Sequence, residues 1–424
     1  MHPLLPSLLC VSILQAAELS PAERSIVATV DAEVSRTSQL LETMVNVNSG
    51  TKNFAGVRQI SKIMQAELEL LGFRTRWVPM DAAHRAGHLV AEHNGAAGRK
   101  RLLLIAHMDT VFEPASPFQK FVRKAGSVAE GPGTEDTKGG LAVMVSALRA
   151  LKSAGELDAM PITIVLTGDE ENPGEPVSIS RLDLVDASRH SDIALEFEPG
   201  IRVGGKDFGS TSRRGVLDWV VKTRGIAGHS GQIFSPEMGY GAINELSRVL
   251  TAFLQEVPEK FMTFNIGMVM GGSSAKLNEG ESGGIVTGKM NIIPGEALAI
   301  GEVRPLTDEQ AQRAQEKMEA IVRRHLPKTE AEIIFRGLMP PMGPEKNRGL
   351  LALLNEVNRD LGLEKMEELD PMKRGGGDIS YVAKDLPSLT GLGSIGGGAT
   401  LPASGSTSSR CRYRPSATRS SCCA

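Results

Sequence analysis

Between Cys10 and Cys411 the chain has no cysteine: of its 4, three (Cys411, Cys422 and Cys423) fall in the last fourteen residues. No disulfide framework holds this fold, which must stand on packing alone. Charge of one sign is missing too. The 47 Lys and Arg against 50 Asp and Glu leave a formal net charge of -3, with neither a basic field for nucleic acid nor an acidic tail. Histidine is scarce, 8 in all, and none follows His325. The apolar stretch within the first seventeen residues, ending Val-Ser-Ile-Leu-Gln-Ala-Ala before Glu18-Leu19-Ser20-Pro21, is too short to span a bilayer. It reads as an export signal over 1–17, although its start carries only His2 and no Lys or Arg. Cleavage there implies a periplasmic or secreted protein with no remaining membrane attachment.

What is present suffices for a sizeable core. With 424 residues, 41% hydrophobic and 23% charged, the chain predicts two domains rather than one. A long helical pattern runs from Pro21 to about Val47, and a second from Ala55 to Leu71 stops at Gly72, a natural C-cap. Phe73 to Val78 and His88 to Glu92 read as strands. Arg101-Leu-Leu-Leu-Ile-Ala-His107-Met-Asp109-Thr is the pivotal stretch. Its unbroken apolar run predicts a central strand buried on both faces, and its polar residues predict chemistry at the carboxyl end, where open α/β sheets hold ligands. Strand alternation points His107 and Asp109 the same way, so that one can bind a metal while the other fixes its tautomer. Taken alone, the pair is equally a polar strand end opening a loop.

Three further stretches join it. Gly133-Thr-Glu-Asp136-Thr-Lys-Gly-Gly140 presents Asp136 just ahead of a helix over Leu141 to Leu151. Its glycine spacing fits neither phosphate-loop pattern, and Asp136 would repel a phosphate. The buried strand Ile162 to Thr167 ends in Gly168-Asp169-Glu170-Glu171, three acids that are costly to crowd without a positive charge among them. Ile193-Ala-Leu-Glu196-Phe-Glu198-Pro199 repeats the theme. Four segments thus deliver acids or a histidine to one rim, which predicts a metal site.

These motifs resemble the zinc metallopeptidase family that contains glutamate carboxypeptidases, aminoacylases, acetylornithine deacetylases and dipeptidases, and most of all its glutamate carboxypeptidase branch. The resemblance runs from about residue 30 to about 397. It implies an α/β catalytic domain with a mixed central sheet, over 18–208 and 337–399, interrupted by a ferredoxin-like α+β lid and dimerisation domain at 209–336. It also implies two Zn2+ per chain, with Co2+ or Mn2+ able to take their place. His107 and Glu198 would bind one ion, Glu171 the other, and Asp136 both. Asp109 would orient His107, Glu170 would be the general base, and the peptide after Asp136 would be cis. Paired ions of this kind activate water and polarise a carbonyl, and a neighbouring carboxylate moves the proton.

From about Gly209 the pattern is strand, helix, two strands, helix, strand: Gly215 to Thr223, Gly239 to Leu254, Met262 to Met270, Ile285 to Val303 broken at Pro294-Gly295, Asp308 to Arg324, and Glu330 to Phe335. By resemblance, His229 in Gly-Ile-Ala-Gly-His229-Ser-Gly would stabilise the oxyanion of a partner subunit in a homodimer, and Asn291 and Arg304 would contact substrate. Gly375, Gly376 and Gly377 resemble the loop lining the specificity pocket, their plain alternative being a flexible surface turn. The chain departs from its relatives at the end. Relatives carry one more metal-binding histidine after a strand like Ser388 to Leu392, whereas residues 400–424 here show no apolar periodicity. Shifting the frame at Ala399 can spell His and then Glu-Trp-Val-Asp-Leu, so this tail reads as a frameshift product. The expected activity is hydrolysis of the amide to a C-terminal amino acid, with glutamate favoured, on a small peptide or N-acyl amino acid. An N-acyl-amino-acid deacylase and a catalytically impaired dimeric binding protein are the alternatives.

Overall fold

The computed structural model describes residues 19–124, 128–278, 283–396 and 411–412. The expected export signal at 1–17 and all but two residues of the expected aberrant tail lie outside the described residues; those two, Cys411 and Arg412, pair with Ala129 and Val128. Among the described residues no helix is long and apolar enough to cross a membrane.

In chain order the elements that matter here are α1 (Pro21–Ala32), α2 (Val34–Val45), α3 (Phe54–Leu70), β1 (Arg74–Met80), β2 (Arg85–His93), β3 (Leu102–His107), α4 (Lys138–Ser153), β4 (Ile162–Thr167) and β5 (Ile193–Glu196). They continue as β6 (Val216–Gly225), α5 (Ala242–Glu256), β7 (Thr263–Gly272), β8 (Glu296–Arg304), α6 (Asp308–Val322), β9 (Thr329–Met339), α7 (Arg348–Asp360) and β10 (Ser388–Thr390).

The central sheet is mixed and runs β1-β2-β4-β3-β5-β10. β3 is flanked by β4 and β5, both parallel to it, and β10 extends the parallel set, while β1 and β2 form an antiparallel edge. Leu103 and Ile105 join the core on one face of β3 and Leu104 and Ala106 the core on the other, which is why its apolar run is unbroken. Because β3, β4 and β5 are parallel, their carboxyl ends open on one rim.

α4 is buried along its whole run from Lys138 to Ala150 and is covered from outside by the two N-terminal helices. The single long helix expected over Pro21 to Val47 is in fact two, meeting at Glu33. Ile26 and Val30 pack on Ala147 and Ala150, while Leu40, Leu41, Met44 and Val45 enter the main core. Glu33 anchors the bend through Arg149 at 3.2 Å, a contact no local sequence signal announces.

β6 to β9 make a second, wholly antiparallel sheet in the order β7-β8-β6-β9, with α5 and α6 packed on it. This is the ferredoxin-like βαββαβ arrangement. Trp219 is its centre, stacked on Phe264 and edge-on to Phe253. The long strand expected over Ile285 to Val303 is three pieces, Gly284–Thr287, Ile292–Ile293 and β8. The first two pair outside this sheet, with Ser274–Leu277 and Gly228–His229, and Pro294-Gly295 turns the chain back into β8.

Candidate metal centre

β3 delivers His107, which is 1% exposed, to the rim. Its Nε2 lies 2.9 Å from Asp136 Oδ1 and 3.1 Å from Glu198 Oε1. Its Nδ1 faces Asp109, 3.1 Å from the backbone carbonyl and 3.3 Å from Oδ1. Asp109 therefore orients the ring through its backbone as well as its carboxylate. The same carboxylate accepts from Thr51 Oγ1 at 2.6 Å and from the backbone N–H groups of Glu170 and Glu171 at 3.1 and 3.2 Å. One buried acid thus aims both the histidine and the acidic turn after β4.

The remaining ligands are seated by close packing. The Asp136–Thr137 peptide is cis, as the family resemblance implies. Thr137 Oγ1 donates to the Phe197 carbonyl at 2.8 Å, and a Cβ at Gly140 would collide with that same oxygen. The glycine lets the start of α4 press against the segment that carries Glu198. At the end of β4, Asp169 is structural: it accepts from Arg181 Nη1 at 2.6 Å, Ser180 Oγ at 2.7 Å and Gly174 N at 2.8 Å. With Asp169 tied down, Glu170 and Glu171 are left for the rim.

His107, Asp136 and Glu198 each offer one ligand atom, and these atoms lie within 4.8 Å of one another. Glu171 is not one of that triad, but it feels the charge of Asp136 and His107 and has a buried Oε1 with no hydrogen-bond partner. Burial and the neighbouring Asp136 push its carboxyl up to about 9. Burial raises Glu170 well above the carboxylate range, and burial with Glu198 raises Asp136. Glu135 is pushed up to about 7 by burial and Asp136. Burial pulls His107 down, but Asp109, Asp136 and Glu198 together raise it well above the ordinary imidazole value. Glu198 is held low despite burial, chiefly by Arg213, and Asp109 is held low despite burial by His107 and Thr51. So many carboxyls crowded beyond their ordinary range describe a site short of positive charge. An orphaned buried oxygen beside an imidazole and carboxylates is a donor set that fits divalent cations.

Residues 103–405 match the peptidase family M20/M25/M40. The chain belongs to that family. It is 29% identical to Carboxypeptidase G2 of Pseudomonas sp. (strain RS-16) over 368 residues, covering 84% of this chain and 81% of the relative. It is 25% identical to succinyl-diaminopimelate desuccinylase of Marinobacter nauticus over 346 residues, 78% of this chain and 84% of the relative. The fold matches that of aminopeptidase PepT from Bacillus cereus with a TM-score of 0.67 at 18% identity, covering 92% of this chain and 96% of that one. This M20/M25/M40 chain is accordingly an enzyme of the metallopeptidase and amidohydrolase class.

The other expected residues lie apart from the triad. His229 is exposed, its Nδ1 accepting from Gly231 N at 3.2 Å, and Asn291 is exposed beside the Ile292–Ile293 strand paired with it. Arg304 is held by Glu302, through Nε at 2.7 Å and Nη2 at 3.0 Å, while its Nη1 faces Gly375. The glycine loop is no flexible surface turn. Gly375 and Gly376 give their carbonyls to the buried Arg213, and a Cβ at Gly377 would collide with that guanidinium. Three residues that matter were not singled out from sequence: Arg213, which meets Glu196 and Glu198; Arg374, whose Nη1 donates to the Pro199 carbonyl at 2.6 Å; and Arg181, which sits between Asp169 and Asp378. A signal did exist, since acids delivered to one rim require buried cations near it.

Proposed function

We propose that this chain is a zinc-dependent carboxypeptidase that hydrolyses the amide joining an acyl or peptidyl group to a C-terminal amino acid, with glutamate favoured. The observation that carries this is the convergence of His107, Asp136 and Glu198 beside Glu170 and the orphaned Glu171 oxygen. His107, Asp136 and Glu198 would hold one ion, and Asp136 with Glu171 a second. Such a pair, when bound, lowers the pKa of water and polarises a carbonyl.

Glu170 is the proton carrier. Its backbone is fixed by Asp109, and its raised affinity for protons suits a group that takes a proton from water and hands it to the leaving amine. Arg304 keeps Nη1 beside Gly375, where a guanidinium suits the carboxylate of a C-terminal residue. His229 stabilises the oxyanion from a partner subunit of a homodimer and Asn291 contacts substrate, which accords with their exposure here. The similarity to Carboxypeptidase G2 supports a C-terminal amino acid as the leaving group. Residues 1–17 would direct export to the periplasm or beyond, tested by N-terminal sequencing of the mature protein.

The tail bears on how well the second ion is held. No histidine follows His325, so the frameshift reading of residues 400–424 predicts a weakened second site in the chain as written. Resequencing the gene tests it; an unbroken frame through Ala424 in independent reads refutes it. The functional test is metal content together with release of glutamate from N-acyl and folate-like substrates, by this chain and by one with its tail restored. Zinc binding and glutamate release are expected; a zinc-loaded, tail-restored chain that cuts no N-acyl amino acid defeats the proposal. The desuccinylase similarity favours a second reading, deacylation of small N-acyl metabolites, which acetyl and succinyl substrates separate from peptidyl ones.

A further inference from the structure

Arg213 sits where the chain leaves the central sheet for β6, and it is 5% exposed. Its Nη1 lies 2.7 Å from Glu196 Oε2 and its Nη2 lies 3.1 Å from Glu198 Oε2. Nε donates to the Gly375 carbonyl at 3.0 Å, Nη2 donates also to the Gly376 carbonyl, and Gly377 lies so close that a Cβ there would collide with the guanidinium. The fork is therefore gripped on every side. At the opposite end of the same carboxylate, Glu198 Oε1 lies 3.1 Å from His107 Nε2. The two oxygens of Glu198 have separate partners: Oε2 meets Arg213 at 3.1 Å, with Arg374 Nη2 farther off at 3.8 Å, and Oε1 faces His107.

We propose that Arg213 is a positioning residue that limits Glu198 to one ligating oxygen and aims that oxygen at the cation held with His107. Glu196 takes the other arm of the fork, and the glycine carbonyls keep it from turning. A lysine at this position would keep the charge and lose the geometry, because a point charge cannot engage two carboxylates and two carbonyls from one plane. The inference rests on the metal site proposed above.

The test uses Arg213→Lys and Gly377→Ala in the full chain, the second displacing the guanidinium while leaving it present. Zinc affinity is measured by competition with a chelator, and the visible spectrum is recorded on the cobalt-loaded protein. Loss of an outer partner of a metal ligand predicts a fall in affinity of about 10- to 100-fold. The cobalt bands should shift as Glu198 becomes free to ligate through both oxygens. A purely structural role would lower the unfolding midpoint and leave the affinity and spectrum of the folded molecules unchanged. A parent that binds no ion sinks the metal reading itself. A parent that binds, beside a folded variant of either kind with the parent's affinity and spectrum, overturns this inference alone.

Discussion

The rim of the central sheet and the sheet of β6 to β9 solve the problem of burial in opposite ways. Among the described residues from 216 to 339, the buried polar side chains are Thr223, Glu245 and Thr329, and Glu245 is satisfied by Arg248, Thr329 and the Leu326 N–H. The rest of that core is apolar, centred on Trp219, Phe253 and Phe264. The rim instead buries His107, Asp109, Asp169, Glu196 and Glu198 with Arg181, Arg213 and Arg374 among them. An apolar core stabilises itself, whereas a buried charge assembly holds only while each member keeps its partner. Chemistry belongs to the rim and plain stability to the second sheet, and Arg213 stands at the junction.

That contrast can be broken or sharpened in three ways. Glu170→Gln should cost turnover about two to four orders of magnitude, as loss of a general base does, while zinc content stays at the parent's level. Steady-state kinetics with metal analysis checks it; an undiminished kcat removes Glu170 from the role. Trp219→Ala should destabilise the β6 to β9 unit by about 3–5 kcal/mol through the cavity it leaves. Urea unfolding followed alongside zinc content measures it, and equal loss of metal in the still-folded protein would erase the division of labour. The smallest effect lies at the foot of the central sheet, away from the rim. Arg101 holds the Asp192 carboxyl down to about 2 through its side chain and backbone N–H. A depressed folded pKa stabilises fully above the unfolded value near 3.9 and loses that contribution as pH falls through the folded one. Asp192→Asn should therefore be less stable than the parent at neutral pH, with the two unfolding midpoints converging toward pH 2. A difference that persists there would show the effect to be packing rather than charge.

Much of this was legible before any coordinates. β3 and β4 showed as apolar runs because parallel strands bury both faces, and their ends stood out because acids rarely follow such runs without cause. A cluster of acids at one rim could be read for that reason, while the choice of His107, Asp136, Glu171 and Glu198 as ligands came from the family resemblance. The arginines could not, since Arg213, Arg374 and Arg181 carry the same local signature as any solvated basic residue. Their burial is decided by carboxylates on other elements, such as Asp378 for Arg181 and Glu198 for Arg213. The glycine loop was legible only by resemblance to one that lines a specificity pocket, and the guanidinium from another element that packs on it was not. The bend at Glu33 was equally hidden, with neither proline nor glycine to mark it.

The position of β10 has a consequence for synthesis. Thr390 pairs with Glu196 on β5, yet the whole of the second sheet is made between them. At about 5–20 residues per second, β5 leaves the ribosome roughly ten to forty seconds before its neighbour exists. Throughout that interval its outer hydrogen-bonding groups face whatever the cell supplies, so the newborn chain is most open to mispairing and chaperone capture while its second sheet is being translated.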